Sequence, residues 1–201
     1  MKKVITILFT LYVAVHGFML GEGTAFVHFS PLDHLGRVGP AYARIGAEYP
    51  IGARSSIQHI TPTGWQSVPL DVVPGGWLFH RCHLIAHRFS DSDAVENIFT
   101  GTQALNVAMK SVENQVAKYV QETGHHVDYV VFPVFLCRDQ LCRGVLMMAR
   151  SVEDDALQIM KWIPNAQEGV EIEYAEGGGQ HAAPEKAQAQ APGGRAFPPA
   201  V

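Results

Sequence analysis

Three polar residues near the middle of the chain are of types that take part in acid–base and metal chemistry. His83 lies in an apolar segment over residues 77–87, where it is expected to end a strand, and Asn106 and Glu113 lie seven residues apart farther along the chain. If the segment that carries these two residues is helical, seven steps of ~100° bring Asn106 and Glu113 to within ~20° of the same face. The rise of ~10 Å between them favours one inner metal ligand and one carboxylate farther out.

These residue types suit the hydrolysis of a phosphate ester. An imidazole, which titrates near neutral pH, can take a proton from water. An amide oxygen suits Mg²⁺, which keeps most of its waters and can neutralise a leaving oxygen. An arginine would then hold the phosphate oxygens through paired hydrogen bonds. Spacing alone leaves two plainer interpretations open, with His83 as a packed core histidine and Asn106 as a residue that caps a helix.

The elements that must position these residues can be predicted from local sequence. Residues 77–87 are apolar enough for a buried strand, and residues 89–101 are polar enough for a loop that carries Asn97. The period of the apolar residues over 103–122 predicts a helix. Thr102 is placed to cap the start of this helix, and Gly124 is placed to end it.

The other strands are predicted from shorter signals. Residues 32–37 predict a short strand that leads into a turn, and the Pro- and Gly-rich residues 51–75 predict loops with short strands. Residues 127–135 are rich in β-branched side chains and indicate a core strand with 141–148 as its partner. Two further strands are predicted over 159–163 and 170–174.

Composition excludes several classes of protein. A chain of 201 residues with 47% hydrophobic content can form one domain with a real core, which excludes wholesale disorder. The net charge is −4 and there is no run of basic residues, so binding of nucleic acid through a polybasic segment is excluded. Any anion-binding site must therefore be built locally.

The two ends of the chain differ from its middle. Lys2 and Lys3 precede an apolar run over residues 4–20, which predicts a secretory signal peptide over residues 1–25 and a secreted, periplasmic or cell-surface protein. An uncleaved membrane anchor is the alternative, although 17 residues are at the short end for a span. After cleavage we expect no stable membrane partner. Residues 176–201 have no hydrophobic period and predict a disordered tail, which leaves 26–175 as the folded domain.

The three cysteines fit an exported protein. Cys137 and Cys142 lie at the tip between two strand-like segments, so we expect a disulfide between them. Cys82 is left over and is expected to be a free, buried packing residue.

Several segments, in order along the chain, resemble one family. G-W-L-F-H-R-C-H-L-I over 76–85 is similar to the D-R-G-H/N-R-C-H box of the DNA/RNA non-specific endonucleases, which are ββα-metal nucleases. E-N-I-F-T-G-T over 96–102, L-N-V over 105–107 and E-N over 113–114 resemble the family's next block. Further matches are L-D-H-L-G-R over 32–37, P-T-G-W over 62–65, H-H-V over 125–127, P-V-F over 133–135 and G-V-L-M-M-A-R-S-V-E-D over 144–154.

The resemblance implies a fold and an activity. The fold class is α+β, with a ββα-metal nuclease core and a central antiparallel sheet flanked by the helix over 103–123. The implied activity is Mg²⁺-dependent hydrolysis of DNA and RNA, with Mn²⁺ as a substitute for Mg²⁺. DNA and RNA are the implied partners, and the sequence identifies no inhibitor protein.

The resemblance also implies a role for each matching residue. His83 becomes the general base, Asn106 the protein ligand of Mg²⁺, and Glu113 an outer carboxylate that holds metal-bound waters. Asn97 becomes a supporting residue that orients the loop or the metal shell. Two arginines are implied as phosphate contacts or site residues: Arg81, which matches the arginine of the box, and Arg54, which is the candidate phosphate clamp.

Two alternatives remain open, one from the spacing of three histidines and one from a departure from the family pattern. His80 stands where the family has Asp or Asn; it could still form a hydrogen bond as a supporting residue, but a cationic His80 would disfavour a metal nearby. The first alternative is a zinc-dependent hydrolase that uses His80, His83 and His87, whose spacing suits zinc if these residues are helical but not if they form a strand. The second is an exported nucleic-acid-binding module that kept the fold and lost turnover.

Overall fold

A computed structural model of the protein describes residues 24–48 and 56–175. Nearly all of the predicted signal peptide, Arg54 and the predicted tail over 176–201 therefore lie outside the described residues. Among the helices that are described, none is long and apolar enough to cross a membrane.

A five-stranded antiparallel sheet forms one layer of the fold, as the α+β fold class predicts. Its spatial order is β1-β2-β5-β6-β7. The strands are β1 (Phe26–Phe29), β2 (Ala41–Ile45), β5 (Val127–Val134), β6 (Gly144–Ser151) and β7 (Gln158–Pro164). The central strand β2 is fully buried and its neighbours β5 and β6 are mostly buried, in keeping with their β-branched and small residues.

A long helix packs on one face of this sheet. This helix, α2, runs over Gln103–Thr123 and follows a short helix, α1, over His87–Ser90. Its apolar stripe is buried in the same core cluster as the sheet residues Val127, Tyr129 and Val131. The stripe consists of Leu105, Met109, Val112, Val116 and Val120. Each such side chain contributes roughly 1.5–3 kcal/mol relative to an exposed one.

Both predicted ends of the long helix are confirmed. The Thr102 side chain accepts a hydrogen bond from the backbone N–H of Leu105, which satisfies one of the donors left unpaired at a helix start. Gly124 ends the helix in the left-handed region, with φ 71°, a conformation that favours glycine.

A separate two-stranded sheet lies ahead of the helix. Strand β3 (Phe79–His83) pairs antiparallel with β4 (Ile98–Thr102), and β4 leads directly into α2. The loop prediction for 89–101 is therefore wrong over its last four residues, which belong to β4, while Val95–Asn97 form a 3₁₀ turn. The two strands approach closely at Gly101, where a Cβ would lie only 2.6 Å from the Cys82 Sγ atom.

Two other strand predictions are wrong for local reasons. Residues 32–37 form a turn, because the Asp33 carboxylate accepts the backbone N–H groups of Leu35 and Arg37 and closes the chain on itself. Residues 170–174 are not a strand, since they find no strand partner beyond a single bridge between Gln167 and Val170. Their apolar side chains pack instead in a small cluster with Leu78, Phe79 and Leu141.

The predicted disulfide is absent, and all three cysteines are free. The last β5–β6 pair is Val134 with Gly144, so Cys137 and Cys142 lie in the loop beyond the neck of the hairpin. Cys137 is exposed at φ 47°, whereas Cys142 is buried with its Sγ atom 3.7 Å from the Asn165 amide nitrogen. The two thiols point to different environments. Cys82 is free and buried, as predicted.

Candidate active site

The segment that runs from β3 through α1 and β4 into α2 places polar side chains around one cavity of about 460 Å³. His83 ends β3, and Asn106 lies in the first turn of α2, directly after β4. Glu113 lies two turns farther along the same face of the helix, so all three side chains line the cavity. The structure therefore brings together the three residues on which the sequence argument depends.

His83 is held by a carboxylate. Its Nε2 atom lies 2.9 Å from Oδ1 of Asp93, and both side chains are largely buried. The carboxylate accepts a hydrogen bond from Nε2–H, a contact that fixes both the tautomer and the orientation of the ring. In this tautomer Nδ1 is the ring atom that can take up a proton. Asp93 itself does not line the cavity.

A second histidine stands beside this pair. The rings of His83 and His87 meet edge to face with centroids 6.5 Å apart. Nε2 of His87 lies 3.6 Å from an oxygen of Asp91 and 3.9 Å from Oδ2 of Asp93. His87 is therefore close enough to the carboxylate of Asp93 to interact with its charge.

The carboxyl group of Glu113 is buried in the cavity wall. Burial raises its pKa, and the nearby positive charges of Arg88 and Lys110 oppose that rise. The nearer cation is Arg88, whose Nη2 atom lies 3.9 Å from Oε2 of Glu113. A cation bound next to this buried carboxyl group would stabilise its charged form.

The side-chain amide of Asn106 is open to a ligand. It lines the cavity, and no protein group in the described part of the chain forms a hydrogen bond with it. An amide oxygen on one turn and a carboxylate on another form an all-oxygen donor pair, which suits a hard cation that keeps its waters. Asn106 and Glu113 therefore fit a hydrated divalent cation.

The rest of the cavity wall is positively charged although the chain is acidic overall. Arg81, Arg88 and Lys110 line the cavity, and Glu113 is the single acidic residue among the described residues that line it. Together the three cationic side chains can attract an anion to the cavity.

A family comparison decides what this arrangement belongs to. The model of the DNA/RNA non-specific endonuclease family matches residues 22–153, about two thirds of the sequence. The chain belongs to this family. It is therefore a nuclease, an enzyme that acts on nucleic acid.

Solved structures agree with this endonuclease assignment at the level of the fold. NucA from Streptococcus agalactiae with a magnesium ion bound has a TM-score of 0.70 at 23% identity, covering 79% of this chain and 78% of that one. The Sda1 nuclease with a bound zinc ion has a TM-score of 0.69 at 26% identity, covering 78% and 81%. A structure described as an extracellular endonuclease has a TM-score of 0.57 at 16% identity, covering 82% and 90%. No curated protein matches the chain.

The surroundings of His80 disfavour a positive charge on its ring. Its Nε2 atom is buried without a hydrogen-bond partner among the described residues. Burial lowers the pKa of His80, which opposes the charged form that would disfavour a metal nearby. The family to which the chain belongs is one of enzymes, so a binding module without turnover is not supported.

The zinc alternative fails on geometry. Within residues 24–48 and 56–175, no three His, Cys, Asp or Glu side chains converge to hold a metal. His80 lies on β3, and its ring bonds to the backbone of Trp77, whereas His83 is turned toward Asp93. His87 begins the next element, α1. The three histidines are therefore not a ligand set.

Asn97 and Arg81 are held by the protein in different ways. Asn97 is fully buried, and its side-chain oxygen accepts a hydrogen bond from the backbone N–H of Ile85. Its side-chain nitrogen donates to the carbonyls of Ile85 and Ser92. These bonds connect the segment around α1 to the start of β4. Arg81 donates from Nε to the Ile60 carbonyl at 2.6 Å and stacks on the Trp65 ring at 3.8 Å. Asn97 therefore shapes the loop, while Arg81 presents a fixed cation to the cavity.

Three residues of the site were not predicted from the sequence. Lys110 lies four residues after Asn106 and so shares its helix face, a signal that the sequence does contain. Arg88 and Asp93 reach the site only through the bend made by α1 and the loop after it. Their spacing from His83 carries no periodic signal.

Proposed function

We propose that the protein is a secreted, Mg²⁺-dependent endonuclease that hydrolyses the phosphodiester bonds of DNA and RNA without sequence preference. The observation that carries this proposal is one cavity lined by His83, Asn106 and Glu113 together with three cationic side chains. A base, a pair of oxygen donors for a cation and a phosphate-attracting wall are the parts that metal-assisted hydrolysis of a phosphodiester requires.

His83 serves as the general base in this proposal. The oxygen of a water molecule forms a bond to phosphorus while the bond from phosphorus to the 3′-oxygen breaks. The proton of that water goes to Nδ1 of His83, and Asp93 stabilises the imidazolium that results. The leaving 3′-oxygen takes a proton from solvent. The products therefore carry a 5′-phosphate and a 3′-hydroxyl.

Asn106 and Glu113 hold the metal in this proposal. The Asn106 amide oxygen would bind the ion directly, and the buried Glu113 carboxylate would accept hydrogen bonds from the waters that the ion keeps. When bound, Mg²⁺ supplies positive charge that neutralises the leaving oxygen. Replacing Glu113 by Gln should be milder than replacing Asn106 by Ala, since an amide oxygen still accepts a hydrogen bond from water.

Arg81, Arg88 and Lys110 bind the phosphate oxygens. The stacked guanidinium of Arg81 is held by Trp65 and Ile60, so it loses little freedom on binding a phosphate. We propose Arg54 as an additional phosphate clamp on the sequence resemblance. Asn97 supports the site by fixing the loop that carries Asp93.

Secretion is proposed from the sequence of the first 25 residues. The chain then consists of a signal peptide over 1–25, a nuclease domain over 26–175 and a tail over 176–201. N-terminal sequencing of the protein recovered from culture medium tests this division, and a protein that stays with the cells and keeps Met1 would contradict it.

The activity is tested by nicking of a supercoiled plasmid and by cleavage of a folded RNA, each with Mg²⁺ and with chelator. Both substrates should be cut with Mg²⁺, with Mn²⁺ as a substitute, and neither should be cut with chelator. The new ends should accept a ligase directly because they carry 5′-phosphates. Ends that carry a 3′-phosphate would refute the mechanism, and cleavage unaffected by chelator would refute the dependence on a metal ion.

A further inference from the structure

A second cavity of about 500 Å³ adjoins the catalytic one, and the proposed mechanism does not use it. The two cavities share His80 and Arg81 as lining residues. The rest of the second cavity differs in character, because its lining includes three aromatic side chains. These are Trp65, Trp77 and Phe79.

Trp77 is exposed although its backbone is held in place. The indole side chain belongs to a residue that is 48% exposed, and it is not part of any buried apolar cluster of the described residues. Its backbone forms a bridge with Pro69, and the next residue, Leu78, donates to the carbonyl of Val68 at 2.9 Å. A large apolar ring kept at the rim of a cavity by a fixed backbone is a pre-formed surface for a planar ligand.

The opposite parts of the cavity offer a planar cation and a buried hydrogen-bonding atom. The Arg81 guanidinium lies over the Trp65 ring with its Cζ atom 3.8 Å from the ring centroid, which makes a cation–π pair. The ring of His80 bonds to the backbone of Trp77, and its Nε2 atom is buried without a partner among the described residues. A buried polar atom without a partner marks a place where a ligand group can bind.

We propose that this second cavity binds one nucleobase of the substrate, stacked on Trp77, next to the phosphate that is cleaved. This inference rests on the proposed function, because Arg81 is then the residue that links the base site to the phosphate site. A base inside a duplex is already stacked on its neighbours and cannot reach the indole. The base site therefore selects unpaired nucleotides, and it tolerates every base because each one has a π face.

The test compares Trp77→Ala with Trp162→Ala on a single-stranded and a duplex oligonucleotide. Trp162 is a matched control because it is also 48% exposed but lies on β7. Trp77→Ala should raise KM for the single strand by roughly 5- to 100-fold, the usual effect of removing one base-stacking ring. The kcat and the duplex KM should stay within about twofold. Trp77→Phe should keep most of the affinity.

A second measurement uses the wild-type protein, so it does not depend on how the variant folds. A single abasic position is moved along the oligonucleotide, and the cleavage of each bond is mapped. In the wild type, cleavage next to the abasic position should be suppressed relative to cleavage of the same bond in the intact oligonucleotide. An abasic position without effect, or a Trp77→Ala variant equal to Trp162→Ala, overturns the base site. Loss of all cleavage by the wild type would instead overturn the proposed function.

Discussion

The hydrogen bond between Asp93 and His83 gives the sharpest prediction about the reaction. Replacing Asp93 by Asn keeps an oxygen near Nε2 of His83 but removes the negative charge. The pair is buried, and a hydrogen bond to a charged group contributes ~1.5–3 kcal/mol. Much of that stabilisation acts on the imidazolium formed as the water proton is taken. We therefore expect kcat to fall by roughly 10- to 100-fold.

The assay should separate kcat from KM. Because Asp93 does not line the cavity, KM should change by less than about threefold. Asp91→Asn is the matched control, since Asp91 lies in the same loop with its oxygen 3.6 Å from His87 Nε2. Its φ of 44° is one that Asn tolerates, so the control should fold and keep its kcat.

A double-mutant cycle distinguishes a positioning role from a structural one. If Asp93 acts through His83, Asp93→Asn should lower activity no further in a His83→Ala background. An additional loss in that background, or a wild-type kcat for the single variant, would refute the assignment. Thermal melting of both variants checks that the fold is intact.

Three further predictions follow from the metal donors, the thiols and a surface histidine. Asn106→Ala should shift the Mg²⁺ titration of activity to higher concentration, and an unchanged titration would mean that Asn106 only starts the helix. Cys137 should react with an alkylating agent in the native protein, whereas Cys142 should react only after unfolding, because burial raises the pKa of its thiol to about 12. Equal alkylation rates of the two thiols in the native protein would contradict this. The hydrogen bond to Glu153 raises the pKa of His126, so the contribution of this pair to stability should be fully present below pH ~6.5 and be lost as pH rises further. His126→Ala should flatten this decline in melting temperature, and an unchanged slope would exclude the pair as its source.

Local sequence predicted the parts of the fold whose signals are local. The helix over Gln103–Thr123 was predictable because its apolar period, its Thr102 cap and its Gly124 end all lie within the segment. The site residues Asn106 and Glu113 share a cavity for the same reason. The apolar run over 77–87 predicted the strand that carries His83, although the apolar residues continue beyond the end of that strand at His83.

The features that were predicted wrongly or missed depend on residues that are distant in the sequence. Strand β4 is short and follows a polar loop, and it becomes a strand by pairing with β3. The disulfide prediction assumed a hairpin neck at Cys137, but the pairing of Val134 with Gly144 ends the hairpin earlier. The contact between His83 and Asp93 depends on the path of the chain through α1, which no spacing rule describes.

Whether His83 is the general base can be decided by single-turnover cleavage of a plasmid by His83→Ala with saturating Mg²⁺. The rate should fall by about 10²–10⁴-fold, the usual contribution of a general base, while the melting temperature and the affinity for DNA stay close to those of the wild type. A near-wild-type rate from a folded variant would contradict the mechanism and pass the role of base to another group in the cavity.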